Sequence, residues 1–193
     1  SAAGARCLTR PLREDFSVDL EGLVALCGER TKALVLCNPN NPTGVILPRA
    51  DLLQLASQLE ERQVLLVVDE AYAEYVHDPR YVSGVDLFRQ LGNIVILRTF
   101  SKIYGLAGLR VGYAIAPKPV VEAFSKVRRV FGVNCIAQAA ALAALQEQDY
   151  VQQVKERTLV EKERMVRSIA EMGVKVHLTQ TNFVLLEVPS SDQ

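Results

Sequence analysis

The sequence predicts an α/β fold built on a mostly parallel sheet. Residues 33–37 and 64–68 are short apolar runs without polar alternation, which is typical of strands buried on both faces of such a sheet. Residues 48–62 lie between these runs and carry leucines at helical spacing. A helix between two buried strands is the repeating unit of α/β folds, so we expect that class here.

The same alternation of strand and helix patterns continues along the rest of the chain. It includes one long helix with a strongly charged face. That face contains Lys162 and is interpreted as solvated. Gly173 is a suitable residue to end that helix. The further predicted elements are strands at 93–98, 111–116, 174–178 and 183–188 and helices at 119–131, 134–146 and 150–172.

The last two predicted strands have a shorter and more alternating apolar pattern than those before them, which indicates a change of architecture near the C-terminal end. We therefore place a domain boundary inside the long helix. Residues 1–150 are expected to form a large domain. Residues 151–193 are expected to form a linking helix and the start of a smaller α+β domain.

Composition excludes several classes of function. The 22 lysines and arginines balance 22 aspartates and glutamates, so the chain has neither a basic footprint for nucleic acid nor a polybasic membrane patch. No apolar run is long enough to span a bilayer. The two histidines and four cysteines lack the spacing of a metal site, and the cysteines are interpreted as free thiols of a cytoplasmic protein.

A lysine and an arginine follow the apolar run at residues 94–97, where a buried strand gives way to a loop. At such a position Lys102 can act as a neutral amine and form a Schiff base with an aldehyde. Arg110 offers a planar fork of donors for a phosphate, and the hydroxyls of Thr99 and Ser101 could bond the same anion. An aldehyde and a phosphate on one ligand describe pyridoxal 5'-phosphate.

Two further polar residues lie just past buried strands, at the sheet edge where ligands of open α/β sheets bind. Asp69 ends the second apolar run, so its carboxylate needs a cationic partner, which the protonated pyridine nitrogen of the cofactor would supply. Asn41 precedes Pro42, which favours extended geometry and places it in a turn. The alternatives are a capping role for Asp69 and an ordinary turn at Asn41.

Three segments of the chain resemble the motifs of one known enzyme family, and they occur in the same order as in that family. Residues 38–44, 69–72 and 101–110 resemble the motifs of the class I/II PLP-dependent aminotransferases of fold type I. Residues 133–145 and 181–185 are most similar to the histidinol-phosphate aminotransferase subgroup. The resemblance covers nearly the whole chain, and compared with the family the chain is expected to be a central section with both ends missing.

The resemblance implies a three-layer large domain in which an antiparallel strand brings Arg110 to the edge that carries Lys102. It also implies that Asn41 and Tyr72 both bond the phenolate oxygen of the ring, that Asn182 lies near the substrate, and that the full-length protein is a homodimer. The alternative for Asn182 is packing at the start of a strand.

The resemblance implies a transamination in which Lys102 holds the cofactor as a Schiff base and moves a proton, with Asp69 and Tyr72 assisting. The donor would be histidinol phosphate and the acceptor 2-oxoglutarate, in histidine biosynthesis. Other class I/II enzymes remain open, namely an aromatic amino acid aminotransferase or a phosphothreonine decarboxylase. A catalytically incomplete fragment, acting at most as a binding module, is the alternative from another class.

Overall fold

A computed structural model describes residues 4–188 of the chain. It contains a four-stranded sheet in the order β1-β2-β3-β4 and a two-stranded sheet, β5-β6. The strands are β1 (Ala33–Cys37), β2 (Leu65–Asp69), β3 (Ile94–Thr99), β4 (Gly112–Ile115), β5 (Lys175–Leu178) and β6 (Val184–Glu187). The helices are α1 (Leu20–Leu26), α2 (Arg49–Glu61), α3 (Gly84–Phe88), α4 (Lys118–Val127), α5 (Cys135–Gln146) and α6 (Gln148–Glu171).

The four-stranded sheet is mixed in the way that the resemblance implies. Strands β1, β2 and β3 are parallel, and their ends are in register, with Cys37 opposite Asp69 and Asp69 opposite Leu97. Strand β4 runs antiparallel to β3 and pairs Gly112 with Thr99. The predicted α/β class with a mostly parallel sheet is confirmed.

The main core lies on the face of the sheet that α1, α2 and α3 cover. Leu52, Leu55 and Leu59 lie on one side of α2 and are buried against Leu66 and Val68 of β2. Burial of each such side chain contributes about 1.5–3 kcal/mol. This face therefore anchors the strands whose carboxyl ends carry the candidate site.

The prediction that β1 is buried on both faces was wrong. Leu34 and Leu36 are buried, but Val35 points to the other face and is 67% exposed. Strand β1 is one of the two edge strands of the sheet, and nothing among residues 4–188 covers the face around Val35. A purely apolar run therefore gave no indication that one of its faces is uncovered.

The helices differ from the prediction in one marked boundary and in two additional short helices. Helix α4 ends at Val127 instead of residue 131, because Arg128 is extended and Phe131 has a φ of 56°. The short helices α1 and α3 were not predicted, although each has a side-chain N-cap: Asp19 accepts from the N–H of Gly22, and Ser83 accepts from the N–H of Val85.

Helix α6 contacts β5, which pairs with β6 in a separate two-stranded sheet. The helix ends at Glu171, and Gly173 follows with a φ of 78°, as a C-terminal glycine commonly does. The interpretation of its charges as fully solvated was wrong for Lys162, which is only 3% exposed. No helix of residues 4–188 is long and apolar enough to cross a membrane.

Candidate active site

The carboxyl ends of the three parallel strands bring the predicted site residues to one edge of the sheet. Asp69 is the last residue of β2 and Thr99 the last of β3, while Asn41 lies in the loop that follows β1. The chain then passes through a loop that contains Lys102 and returns as β4. Because β4 is antiparallel, Arg110 lies just before it and at the same edge.

One cavity of about 340 Å³ opens at this edge. It brings together five of the residues that the sequence singled out: Asp69, Thr99, Ser101, Lys102 and Arg110. Ala71, Leu97 and Arg98 complete its lining. A carboxylate, an amine, a guanidinium and two hydroxyls therefore share one concave surface, the arrangement expected for a small charged ligand.

The Arg110 end of the cavity is organised by short contacts within the loop. The guanidinium of Arg110 donates to the carbonyl of Ala107 at 2.9 Å and to the hydroxyl of Ser101 at 3.5 Å. The hydroxyl of Thr99 accepts the backbone N–H of Ser101 at 3.1 Å. One cation and two hydroxyls held in this way match the chemistry of a phosphate group.

The Lys102 end adjoins a pair of side chains from two other loops. The amide of Asn41 donates to the hydroxyl of Tyr72 at 3.3 Å. The amine of Lys102 lies 5.0 Å from the centre of the Tyr72 ring. The structure thus places Tyr72 beside the amine and Asn41 against Tyr72, and both residues lie outside the cavity lining.

Asp69 is half-buried, and its carboxylate accepts the backbone N–H of Ala71 at 3.1 Å. It forms no ion pair within the part of the chain that the structure describes. Its register partner Cys37 has a raised thiol pKa, caused first by burial and then by the negative charge of Asp69. A carboxylate in this setting fits a protonated ring nitrogen, so the residues present fit pyridoxal phosphate.

Sequence reasoning missed a buried charge network beside these residues. Glu70 is fully buried and accepts from the N–H of Gly84 at 2.5 Å, from the hydroxyl of Ser83 at 2.8 Å and from Arg98 at 2.9 Å. Arg98 also pairs with Glu74 at 2.6 Å. An arginine that directly follows the apolar run of β3 was the signal that could have revealed this network.

Burial acts oppositely on the two partners at the centre of the network. It raises the pKa of Glu70, partly offset by the positive charge of Arg98. It lowers the pKa of Arg98, but the carboxylates of Glu70 and Glu74 outweigh burial and raise that pKa overall. The network ties the strand ends at Asp69 and Thr99 to the start of α3.

Asn182 lies outside the cavity lining, in the turn before β6. Its side chain is exposed and hydrogen-bonds with Tyr75, whose pKa is raised to about 12, first by burial. The next residue, Phe183, meets the ring of Tyr72 edge-on, with centroids 5.4 Å apart. Asn182 is therefore connected to the site through its neighbours, and its substrate contact stays a prediction.

Within residues 4–188, no three His, Cys, Asp or Glu side chains lie close enough to hold a metal ion.

The sequence model of the family described as aminotransferase class I and II matches residues 1–193. The chain belongs to this family.

Curated relatives of this family member carry two different names. The chain is 42% identical over 186 residues to the aromatic amino acid aminotransferase of Streptomyces avermitilis, covering 96% of this chain and 52% of the relative. It is 40% identical over 185 residues to the histidinol-phosphate aminotransferase of Brevibacillus brevis, covering 96% of this chain and 50% of the relative. The chain thus spans about half the length of the curated relatives it matches.

A solved structure extends the likeness to three dimensions. The histidinol-phosphate aminotransferase of Sinorhizobium meliloti, in complex with pyridoxal-5'-phosphate, superposes with a TM-score of 0.85 at 38% identity, covering 94% of this chain and 49% of that chain. The predicted family, its fold and its cofactor are confirmed by these findings. The two names among the relatives leave the amino donor open.

Proposed function

We propose that this chain carries the cofactor-binding part of a pyridoxal phosphate-dependent aminotransferase that acts on histidinol phosphate and 2-oxoglutarate. The observation that supports it most directly is the cavity lined by Asp69, Thr99, Ser101, Lys102 and Arg110. The proposal extends to a role in histidine biosynthesis and to a cytoplasmic homodimer, and the family relationship supports both extensions.

In this proposal, bound pyridoxal phosphate supplies an electron sink for the carbon that loses its proton. Lys102 would hold the cofactor through its Nζ and, during the reaction, would move a proton there as general base and acid. The half-buried position of Lys102 beside the Tyr72 ring restricts where that amine can travel. Proton transfer is efficient only when the amine stays within hydrogen-bond reach of the reacting atoms.

The other residues fix the cofactor in one orientation. Asp69 would accept a hydrogen bond from the ring nitrogen and keep it protonated. Arg110, Thr99 and Ser101 would hold the phosphate, while Asn41 and Tyr72 would bond the phenolate oxygen between them. A cofactor held at three points stays still while bonds at its reactive carbon change.

Asn182 is proposed to contact the amino donor, because it adjoins the Phe183–Tyr72 ring pair that borders the amine of Lys102. An aromatic amino acid is the second candidate donor. It is favoured by the relative from Streptomyces avermitilis, and the same ring pair offers an apolar surface to an aromatic side chain.

The test of cofactor chemistry uses absorbance spectroscopy on the purified chain with added pyridoxal phosphate. We expect a visible band that Lys102→Ala lacks, and borohydride should fix the cofactor to a peptide that contains Lys102. Lys126→Ala removes an exposed lysine of α4 and should behave like the wild type. A band of equal strength in Lys102→Ala would refute the assigned role of Lys102.

The test of the reaction compares amino donors at fixed 2-oxoglutarate, using the full-length protein that contains this chain. We expect kcat/KM to be highest for histidinol phosphate, whereas preference for phenylalanine or tyrosine would support the second candidate. Release of carbon dioxide in place of a ketone would indicate a decarboxylase.

A chain that binds the cofactor without turnover is the candidate from another class, and it is favoured by the span of about half a relative. We expect the 193-residue chain alone to show little or no transamination. Robust turnover by the purified chain would contradict that expectation and remove this candidate.

A further inference from the structure

Residues 179–183, here called the 179–183 turn, connect β5 to β6 and contact the loops of the candidate site. The N–H of Gln180 donates to the carbonyl of Gly44 at 2.9 Å, in the loop that carries Asn41. The side-chain oxygen of Gln180 accepts from the N–H of His77 at 2.9 Å and of Asp78 at 3.1 Å. Gln180 therefore connects this turn by hydrogen bonds to two loops, one containing Gly44 and the other containing His77 and Asp78.

The turn is itself held by a lysine from α6. The amine of Lys162 donates to the carbonyl of Thr179 at 2.6 Å and to that of Thr181 at 2.5 Å. Lys162 is 3% exposed and forms no ion pair within residues 4–188. A buried amine without a carboxylate partner is costly to folding, so stability alone does not explain why a lysine occupies this position.

We propose that Lys162 is a positioning residue that fixes the 179–183 turn against the loops of the cofactor site and thereby orients Tyr72 and Asn41. The effect on cofactor binding rests on the proposed function. The effect on the turn does not, because it follows from the contacts of Lys162 alone.

Hydrogen bonds within the 179–183 turn connect its first residue to its last. The hydroxyls of Thr179 and Thr181 lie 2.7 Å apart, and the hydroxyl of Thr179 donates to the carbonyl of Phe183. Both threonines are buried. A shift of the carbonyls that Lys162 holds would therefore move Phe183, whose ring contacts Tyr72.

The turn also packs closely against Gly44 in the loop that carries Asn41. A Cβ added to Gly44 would overlap the side chain of Thr179. The 179–183 turn and the Asn41 loop are thus in direct contact as well as hydrogen-bonded through Gln180. A displacement of the 179–183 turn would therefore also displace the loop that carries Asn41.

An electrostatic effect of Lys162 is the competing explanation, and the charges around it define the control. On α6 these are Lys155 and Glu163, and across from the helix lies His77. The pKa of His77 is lowered by burial and then by the positive charges of Lys155 and Lys162. Lys155→Met removes a comparable charge from the same helix but leaves the carbonyls of the turn bonded.

The first measurement is amide hydrogen exchange in the wild type, Lys162→Met and Lys155→Met, without cofactor. We expect the amide protons of Gln180, His77 and Asp78 to exchange at least about tenfold faster in Lys162→Met, because two buried carbonyls lose their donors. Exchange in Lys155→Met should match the wild type. Lys162→Arg, which retains donors, should restore most of the protection.

Unchanged exchange in Lys162→Met, or equal acceleration in Lys155→Met, would overturn the proposal. The second measurement is the dissociation constant of pyridoxal phosphate and the pH titration of its visible band. We expect Lys162→Met to bind at least about fivefold more weakly with a shifted titration, whereas a purely structural role would lower only the unfolding midpoint.

Faster exchange with unchanged cofactor binding and titration would overturn the positioning role. If the wild type binds no cofactor, the proposed function fails, and the exchange comparison alone decides whether Lys162 holds the turn. The two failures are thus distinguished by different measurements.

Discussion

The side-chain amide of Asn41 donates a hydrogen bond to the hydroxyl of Tyr72 at 3.3 Å, and this contact joins two loops 31 residues apart in sequence. The pair borders the amine of Lys102, which lies 5.0 Å from the Tyr72 ring centre. Each partner thus holds the other's polar group in place, and both would reach one oxygen of the cofactor.

This contact predicts coupled losses of cofactor affinity. Asn41→Ala and Tyr72→Phe should each raise the dissociation constant of pyridoxal phosphate about five- to tenfold, since a hydrogen bond contributes about 1 kcal/mol. The double variant should lose less binding free energy than the sum of the losses in the two single variants, and a double-mutant cycle measures the difference. Tyr113→Phe alters a 40% exposed ring and should bind normally, whereas full additivity would contradict the coupling.

Arg110 should discriminate between cofactors with and without a phosphate. Arg110→Met should weaken binding of pyridoxal phosphate about ten- to a hundredfold, because hydrogen bonds to charged groups contribute about 1.5–3 kcal/mol. Binding of pyridoxal should stay nearly unchanged. Titration of the chain with both compounds tests this, with Arg128→Met as an exposed control. Equal losses for both compounds would rule out a phosphate contact.

The buried pair of Glu70 and Arg98 should dominate stability at this end of the sheet. Glu70→Ala leaves the guanidinium of Arg98 without its fully buried partner and should lower the free energy of unfolding by about 3–5 kcal/mol. Urea denaturation measures the change. Arg164→Ala breaks an exposed pair with Glu161 and should change little. A loss equal to that of Arg164→Ala would contradict the prediction.

Gly44 and Gly173 separate backbone strain from steric overlap. Both have a positive φ, 70° and 78°, but only Gly44 has a neighbour, Thr179, that an added Cβ would overlap. Gly173→Ala should lower the free energy of unfolding by about 1 kcal/mol. Gly44→Ala should lower it by more and also weaken protection of the Gln180 amide. Equal losses in the two variants would show that Thr179 yields readily.

Stability should depend on pH through Lys162. Burial lowers the pKa of this lysine from 10.5 to about 8. Between these two values the folded chain binds fewer protons than the unfolded chain, so the free energy of unfolding rises with pH, while below pH 8 the cost of the buried charge is fully present. Urea denaturation at about pH 7.5 and about pH 9.5 should show this rise, and Lys162→Met should lack it. If the free energy of unfolding rose equally with pH in the wild type and in Lys162→Met, Lys162 would not be the source of the pH dependence.

The convergence of Asp69, Thr99, Ser101 and Lys102 was predictable because parallel strands deliver their carboxyl ends to one edge whatever else the fold contains. The place of Arg110 required the resemblance. Strand direction depends on pairing between distant segments, and the run at residues 111–116 is compatible with either direction.

Other features depend on tertiary contacts that no local pattern records. The charges of α6 predict a solvated helix face, yet Lys162 is buried because the 179–183 turn covers it. Glu70 sits in a recognisable motif, but its partner Arg98 is reached only when β2 and β3 pair. Val35 is apolar and exposed because nothing among residues 4–188 lies over it.

The sequence separations of the site contacts imply an order in which they form. Arg110 and Ser101 are 9 residues apart, Asn41 and Tyr72 are 31 apart, and Gln180 and His77 are 103 apart. The entropic cost of closing a loop increases with the number of residues between its ends, and contacts between residues distant in sequence form more slowly. We therefore expect the phosphate end of the cavity to assemble while the chain is still being synthesised. The hydrogen bonds of Gln180 to the loops of the site can form only after residues 175–187, which include β5 and β6, have been synthesised.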